Sequence, residues 1–334
     1  MRLYSKISII ALLSLVSANS LADDLFDMLK QMSDAGLNQN YHGTFILRKS
    51  ENISTLRVTH GVDEQGVWER IESLNGESKE VLRHNNRIFS VYPDRQLVTV
   101  RHTVDQQSLH PQLPENIDQL KLFYSMTRLA DDRIANHPTL VVDLLPKDDY
   151  RYGYRYWIDK NTGMLLRSDL LSDSDEVTEQ MMFTSLEYVE GASSHGVDLK
   201  QFEHFNQQVI GELKSDSTEN SKTTWKVRQL PKGFMLMQNT MRYSKSSGSM
   251  LSNNDKGEHN MPPDLQHLVY SDGLASVSVF IEKNKGDGNH LQGASSMGMV
   301  NAFGHALDKY IITVVGAVPE KTVQLIAQTA VQIP

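Results

Sequence analysis

Apolar and polar residues alternate along much of the chain with the period of two that is typical of β-strands. The clearest run is 150–157, where a tyrosine occupies every second position and arginine, glycine and tryptophan fill the positions between. Residues 159–163 have the composition of a hairpin turn, with Gly163 suited to a positive φ, and 164–171 return as a second strand. Two strands cannot bury an apolar face by themselves, so this central hairpin predicts a larger sheet around it.

Short β-rich runs separated by tight turns precede the hairpin. Their close spacing predicts an antiparallel meander, and the polar residues on one face predict that this face meets water while the other meets a helix or a cavity. Residues 105–138 are predicted to interrupt the sheet. Within them, 117–129 have apolar positions at helical spacing and predict helical segments. The β-rich runs lie at 41–48, 53–60, 67–73, 80–84, 87–92 and 96–102.

The chain is predicted to have four parts. Residues 1–22 have the positive start, short apolar run and small-residue cleavage site of a signal peptide, with an uncleaved anchor as the alternative. Residues 23–211 form the large domain. The strongly polar stretch 212–224 predicts a linker, and 225–334 forms a small domain.

Helices are predicted at both ends of the mature chain. Residues 24–36 have apolar positions at helical spacing after two aspartates, and Pro319 suits the first turn of a closing helix. The predicted fold class is α+β. It combines a large antiparallel half-barrel covered by helices with a smaller C-terminal α+β domain that contains an antiparallel sheet.

The chain has no cysteine, which excludes disulfides, thiol catalysis and thiolate metal sites. An exported chain without disulfides fits the periplasm, and no later apolar run is long enough to span a membrane, which predicts a soluble mature protein. Residues 23–222 carry 21 basic and 33 acidic side chains, against 10 and 8 in 223–334. This balance predicts no nucleic-acid partner, whereas the slightly basic small domain suits an acidic peptide or a lipid phosphate.

The sequence predicts a binding protein and not an enzyme, with no catalytic residue, no cofactor and no metal site. It has no Gly-x-Ser-x-Gly nucleophile motif and no phosphate-binding or dinucleotide-binding glycine loop, and its histidines form no metal-binding pair. The concave apolar face of a half-barrel can hold an acyl chain, and ordinary core packing is the alternative for each residue on it. The predicted lipid-lining residues are Tyr41, Phe45, Leu47, Val58, Ile71, Val91, Trp157, Leu165 and Leu186.

Three stretches of the chain resemble the RseB/MucB family. Residues 146–159, Pro-Lys-Asp-Asp-Tyr-Arg-Tyr-Gly-Tyr-Arg-Tyr-Trp-Ile-Asp, and 162–171, Thr-Gly-Met-Leu-Leu-Arg-Ser-Asp-Leu-Leu, resemble its central hairpin. Residues 41–45, Tyr-His-Gly-Thr-Phe, resemble its first strand, and 261–280, with Tyr-Ser-Asp-Gly-Leu inside it, resembles its C-terminal domain. The resemblance covers essentially the whole mature chain. One departure is at 133–137, where the family more often has a glycine after the alanine.

The resemblance implies a periplasmic regulator of the sigma-E envelope stress response. Such proteins bind the periplasmic part of the anti-sigma factor RseA and protect it from site-1 proteolysis, and lipopolysaccharide or mislocalised lipoprotein releases them. The family's large domain is similar to the lipoprotein carriers LolA and LolB. A periplasmic lipoprotein or lipid carrier chaperone of the LolA type is therefore the alternative function, a periplasmic hydrolase is a second rival, and homo-oligomerisation is left open.

The small domain is expected to contribute to RseA binding through Tyr270, Asp272 and Gly273. Tyr270 would be an exposed aromatic anchor, Asp272 a hydrogen-bond acceptor, and Gly273 a position where another backbone can approach closely. The alternative is that these residues form a plain turn between two strands.

Overall fold

The computed structural model describes residues 16–64, 66–102, 119–190, 200–209, 225–242, 265–284, 286 and 290–333. Contacts within the chain divide it into two units. Unit 1 consists of Met1–Lys147 and Gly153–Gln208, and unit 2 consists of Asp148–Tyr152 and Val209–Pro334. Asp148–Tyr152, here called the 148–152 segment, thus lies inside the sequence of the predicted large domain but belongs to unit 2.

Three predicted features lie wholly or mainly outside the described residues. They are the linker at 212–224, the first residues of the small-domain stretch that resembles the family, and the signal peptide except for 16–22.

Unit 1 is mostly sheet within the described residues. Its strands lie in the order β13-β6-β5-β4-β3-β2-β1-β12-β11-β10-β9-β7, with β8 attached to β9. The neighbours from β6 to β7 in this order, and β8 with β9, pair antiparallel. Its α-helices are α1 (Val16–Asn38) and the single-turn α2 (Leu120–Phe123). Its strands are β1 (Tyr41–Lys49), β2 (Asn52–Asp63), β3 (Gly66–Ser73), β4 (Glu80–His84), β5 (Arg87–Tyr92), β6 (Leu97–His102), β7 (Tyr124–Arg128), β8 (Asp132–Ile134), β9 (His137–Pro146), β10 (Gly153–Asp159), β11 (Leu165–Leu171), β12 (Val177–Tyr188) and β13 (Asn206–Val209).

The predicted meander is confirmed from β1 to β6. Each of these strands pairs with the next in sequence, as expected from short runs joined by tight turns. The central hairpin is also confirmed, as β10 and β11, and Gly163 has a φ of 76°. Its first strand begins at Gly153 and not at residue 150, because the preceding residues belong to unit 2.

The prediction of helical segments over 117–129 is wrong from Tyr124 onward. Only Leu120–Phe123 is helical in the described part, and Tyr124–Arg128 forms β7, which pairs with β9. The spacing of the apolar residues is therefore compatible with a strand as well as with a helix, and pairing with β9 favours the strand.

Helix α1 is longer than predicted. It begins at Val16, so that Asp23 and Asp24 lie inside the helix and not at its first turn, and it ends at Asn38. Its apolar stripe is buried as expected, and includes Leu29 and Met32 at 0% and 1% exposure.

Unit 2 contains a six-stranded antiparallel sheet in the order β15-β16-β17-β20-β19-β18, and a short β14-β21 pair. Helix α3 packs on this sheet through Val323, Ile326 and Ala327, which share a core with Leu268 and Val279. The predicted closing helix is confirmed, with Pro319 directly before its first turn. The elements are β14 (Trp225–Val227), β15 (Met235–Arg242), β16 (Leu265–Ser271), β17 (Ser276–Lys283), β18 (Gly293–Met297), β19 (Val300–Leu307), β20 (Tyr310–Gly316), α3 (Glu320–Thr329) and β21 (Ala330–Gln332).

Candidate functional site

Most of the predicted lipid-lining residues share one face of the sheet in unit 1, called the Phe45 face here. Tyr41, Phe45 and Leu47 alternate along β1 and therefore point to the same side. Residues directly opposite each other in an antiparallel pair also share a face. Val58 lies opposite Gly43 on β1, and Ile71 lies opposite Val58, which places both on this face.

The other half of the Phe45 face comes from β10, β11 and β12. Leu186 lies opposite Gly43, and Phe183 lies opposite Phe45 after a β-bulge in β12. A Cβ atom at Gly43 would lie 2.5 Å from the carbonyl oxygen of Ser185, so only glycine fits beside this bulge. Leu165 lies opposite Ile158 at the end of the central hairpin.

The assignment of Val91 to this face is wrong. Ile71 lies opposite Val81, and Val81 lies opposite Ser90. Ser90 therefore shares the Phe45 face, and its neighbour Val91 points to the other side. Val91 packs there in a separate apolar cluster with Leu82, Phe89, Val98 and Phe202.

The assignment of Trp157 is wrong for the same reason. Tyr156 lies opposite Ser168, which lies opposite Met181, and Met181 lies opposite Leu47 on β1. Tyr156 therefore shares the Phe45 face, and its neighbour Trp157 points to the opposite side. The Trp157 indole donates a hydrogen bond to Asp132 at 2.9 Å, and the Arg167 guanidinium lies 3.9 Å from the centre of its ring. Trp157 is therefore held by polar partners.

Described residues of unit 1 form two clefts that are partly open to solvent. One of about 400 Å³ lies between α1 and the central hairpin, and its lining includes Ala35, Ile158 and Thr162. The other, of about 270 Å³, is lined by Tyr41 and by polar residues of β1, β2 and β12 such as Thr44 and Thr59. Both clefts are smaller than or near the lower end of typical ligand pockets of roughly 300–1,000 Å³.

Tyr41 and His60 form a buried stacked pair at the second cleft. Their ring centres are 5.0 Å apart, and the His60 Nδ1 lies 2.7 Å from the Gln39 carbonyl oxygen. Burial raises the pKa of Tyr41 well above its usual value. Burial also lowers the pKa of His60, although the hydrogen bond to Gln39 opposes this shift. Both rings are therefore uncharged at neutral pH.

Arg151, in the 148–152 segment of unit 2, is a fully buried charged residue, with an exposure of 0%. Its guanidinium donates to Asp272 at 2.5 Å, to both carboxylate oxygens of Asp148 at 3.0 and 2.9 Å, and to the carbonyl oxygen of Lys232 at 2.6 Å. It also lies 5.2 Å from the ring centre of Phe234. Two carboxylates and a carbonyl thus compensate for the loss of water around this cation.

The other residues of the 148–152 segment are also attached to unit 2. Asp149 forms an ion pair with Lys321 at 2.9 Å, and Thr322 donates to the carbonyl oxygen of Tyr150 at 2.8 Å. The hydroxyl of Tyr152 accepts from the Asn301 amide at 3.1 Å. Residues 149–152 therefore each contact the rest of unit 2 through at least one polar group, and Asp148 is held through Arg151.

Asp272 and Gly273 lie in the turn between β16 and β17, and Tyr270 lies near the end of β16, opposite Val277. Asp272 Oδ1 accepts from the backbone N–H groups of Leu274 and Ala275, and Gly273 has a φ of 103°. The expectation that Tyr270 is exposed is wrong, because it is 4% exposed within the core of unit 2 and burial raises its pKa. Whether these residues contact a partner stays a prediction.

The sequence reasoning missed the role of Arg151. The available local signal was Asp148, three residues before it, whose carboxylate pairs with the buried guanidinium. Nothing in the local sequence indicates Asp272 as its partner, because 121 positions separate the two.

Two further observations concern the described residues alone. None of their helices has both the length and the hydrophobicity that a membrane crossing requires. No group of three or more acidic or histidine side chains among them is arranged to hold a metal ion.

The chain is similar over nearly its whole length to proteins that regulate sigma factors. It is 28% identical to the Sigma factor AlgU regulatory protein MucB of Pseudomonas aeruginosa, across 98% of this chain and 96% of that protein. It is 25% identical to the Sigma-E factor regulatory protein RseB of Haemophilus influenzae, across 97% of this chain and 96% of that protein.

Solved structures give the same result for the fold. The structure of MucB in complex with MucA(peri) matches with a TM-score of 0.65 and 26% identity, over 92% of this chain and 98% of that chain. MucB alone matches with a TM-score of 0.60 and 25% identity, over 92% and 98% of the two chains. The family model of the MucB/RseB N-terminal domain matches residues 24–205 and that of the C-terminal domain matches 219–331, so this chain belongs to the MucB/RseB family.

Proposed function

We propose that this protein is a periplasmic negative regulator of the sigma-E envelope stress response. It binds the periplasmic segment of the anti-sigma factor RseA and protects that segment from site-1 proteolysis. The observation that carries the proposal is the family match over both units, together with relatives that are named sigma factor regulatory proteins. The solved complex of a relative, MucB, with MucA(peri) supports binding to a segment of this kind.

The test of this function is a protection assay. The purified periplasmic segment of the cognate RseA is incubated with the site-1 protease, with and without the full mature protein. We expect the protein to slow cleavage in proportion to the fraction of segment bound, because a bound segment is withheld from the protease. If the segment binds no more tightly than an unrelated acidic peptide, the proposed function is wrong. Binding of lipoprotein without binding of RseA would instead indicate a carrier.

We also propose that an acyl chain of lipopolysaccharide or lipoprotein binds the Phe45 face and releases RseA. Seven of the nine predicted lining residues share this face by register, and α1 lines a cleft with the hairpin on the same side, which supports a half-barrel sheet with a helix laid over it. A lipid that binds the RseA-free form more tightly than the RseA-bound form shifts the population toward the RseA-free form. The change in free energy between the two forms is limited by the difference in the lipid's affinity for them.

Neighbouring residues of β1 provide a matched test of the lipid site. Leu47 and Ile46 are both half-buried but point to opposite faces. Leu47→Asp places a charge on the Phe45 face and is expected to weaken lipid-induced release of RseA, whereas Ile46→Asp is expected to leave release unchanged. Release is measured by fluorescence anisotropy of labelled RseA segment during titration with lipopolysaccharide fragments. A folded Leu47→Asp protein that releases RseA normally would refute the lipid site while leaving RseA protection in place.

A further inference from the structure

Strand β15 is at the edge of the six-stranded sheet of unit 2. Within the described residues β16 is its strand neighbour, on one side. An edge strand presents backbone N–H and C=O groups that another extended chain can pair with. Natural proteins usually protect such an edge with charged residues or proline. Strand β15 contains no proline, and its one charged residue, Arg242, lies at the end of the strand away from Met235.

The beginning of β15 exposes three consecutive apolar side chains. Met235, Leu236 and Met237 are 50%, 46% and 65% exposed. In a regular strand one of two neighbouring residues would point into the core. The register with β16 passes from Leu236 opposite Tyr270 to Gln238 opposite Val269, so Met237 is the extra residue of a β-bulge. Leu236 lies opposite Tyr270 and shares the face of that core residue, yet it is 46% exposed at this end of the strand, beside Met235 and the bulged Met237.

The surroundings of this edge are basic. Residues 225–242 contain four basic side chains and no acidic one. Lys226, Arg228 and Lys232 are exposed, and among the described residues none of them forms an ion pair. This charge favours an acidic partner at moderate salt.

These features select one kind of occupant. A second copy of this chain would bring a like-charged basic edge against this one, which is unfavourable. A lipid surface would cover the methionines and leucine but could not pair with the strand backbone. An extended peptide with apolar and acidic side chains satisfies the backbone, the apolar side chains and the charge together.

We infer that the β15 edge at Met235–Met237 binds an extended segment of the anti-sigma factor as an added strand of the sheet in unit 2. This inference rests on the proposed function and names the surface that performs it. The bound segment contributes apolar side chains that contact Leu236 and Met237, and acidic side chains that lie near Lys232.

The experiment compares the two edges of the same sheet. The mature full-length protein is titrated into labelled periplasmic segment of the cognate RseA, as wild type, Leu236→Ser/Met237→Ser, Lys232→Glu and Met297→Ser. Met297 is the matched control because it is 79% exposed on β18, at the opposite edge. Hydrogen exchange of β15 and β18 is followed in the same samples with and without the segment.

We expect Leu236→Ser/Met237→Ser to weaken binding by about tenfold or more, as for central contacts of an interface. Lys232→Glu is expected to weaken it several-fold and to reduce its salt dependence, and Met297→Ser to bind as wild type does. The segment is expected to slow amide exchange in β15 and not in β18. Because the substituted side chains are exposed, the variants are expected to fold, and circular dichroism verifies this.

Other outcomes overturn the inference in distinct ways. Normal binding by the folded double variant, with no protection of β15, shows that RseA binds elsewhere while the proposed function stands. Absence of segment binding by the wild type removes the proposed function and this inference with it. If the wild type is a dimer and the double variant is a monomer, the edge binds a second copy of this chain. If the double variant loses binding to anionic vesicles but binds the RseA segment normally, the edge binds lipid.

Discussion

Units 1 and 2 both contain charged side chains with little access to water, but they neutralise them in different ways. In unit 1 Arg155 lies directly opposite Asp143 on the neighbouring strand, and its Nε and Nη2 atoms donate to that carboxylate at 2.5 and 2.8 Å. These hydrogen bonds raise the pKa of Arg155. In unit 2 the Arg151 side chain and the Asp272 side chain are both 0% exposed, and the two residues come from distant parts of the chain.

This difference predicts how much stability each unit loses when one partner of its ion pair is removed. A cross-strand pair forms as soon as the strands take their register, and water still reaches one side of it. The Arg151 pair forms only when the 148–152 segment reaches its place in unit 2, and no water replaces a missing partner. Loss of Arg151 is therefore expected to cost more than loss of Arg155.

The largest effect is expected for Arg151→Met. This substitution keeps most of the side-chain volume but leaves the buried Asp272 carboxylate without its cation, so the free energy of unfolding is expected to fall by about 3–5 kcal/mol. Urea unfolding gives the total, and hydrogen exchange of β16 and β17 assigns the loss to unit 2. Partial recovery in Arg151→Met/Asp272→Asn is the control. A loss under about 1 kcal/mol would contradict a dry ion pair.

A smaller loss is expected for Arg155→Met in unit 1. The Arg155 side chain is 31% exposed, so water can solvate Asp143 after the substitution. Hydrogen bonds to charged groups contribute about 1.5–3 kcal/mol to stability, and we expect the free energy of unfolding to fall by an amount near the lower end of this range. Faster exchange is expected in β9 and β10, with unit 2 unchanged. If Arg155→Met costs as much as Arg151→Met, the contrast between the units is wrong.

The buried histidines extend the comparison to pH. Burial lowers the pKa of His60 in unit 1 and of His267 in unit 2 from the usual 6.5, and the positive charge of Arg83 adds to the shift at His60. The unfolded chain therefore binds more protons than the folded one as the pH falls below 6.5, and stability is lost from there down to the folded-state pKa. Urea unfolding between about pH 7.5 and about pH 5 measures the slope, which is expected to flatten in His60→Gln.

The smallest effect is expected at an exposed cross-strand pair. Arg57 lies opposite Glu72, its side chain is 56% exposed, and their charged atoms are 3.0 Å apart. Because water and salt screen both charges, Arg57→Met is expected to cost at most about 1 kcal/mol, and less at high salt. Urea unfolding at low and high salt checks this. A loss comparable to that of Arg155→Met would show that exposure does not govern these pairs.

Sequence patterns predicted the strands well where pairing is sequential. Strands β1 to β6 and the β10–β11 hairpin are confirmed within a few residues, because alternation and turn residues are local properties. The prediction failed at Tyr124–Arg128, where an apolar pattern at helical spacing forms a strand against β9. Pairing with a partner about twenty residues away outweighed local preference there.

The candidate lipid site was predictable only in part. The choice of apolar residues from alternating strand patterns placed Phe45, Val58 and Leu186 on one face. It misplaced Val91 and Trp157, because a strand pattern gives two faces without saying which face matches that of the neighbouring strand. A shift of one residue in register reverses the assignment.

The sequence by itself determined the positions of β1 to β6 and of the β10–β11 hairpin, the absence of disulfides and the family motifs, since each is a matter of residue type and short-range spacing. Only the tertiary structure decided that Arg151 leaves the hairpin to join unit 2, that Tyr270 is buried, and that Met235–Met237 is exposed at a sheet edge. These three outcomes depend on strand order and on contacts between residues far apart in sequence, which local patterns of hydrophobicity do not specify.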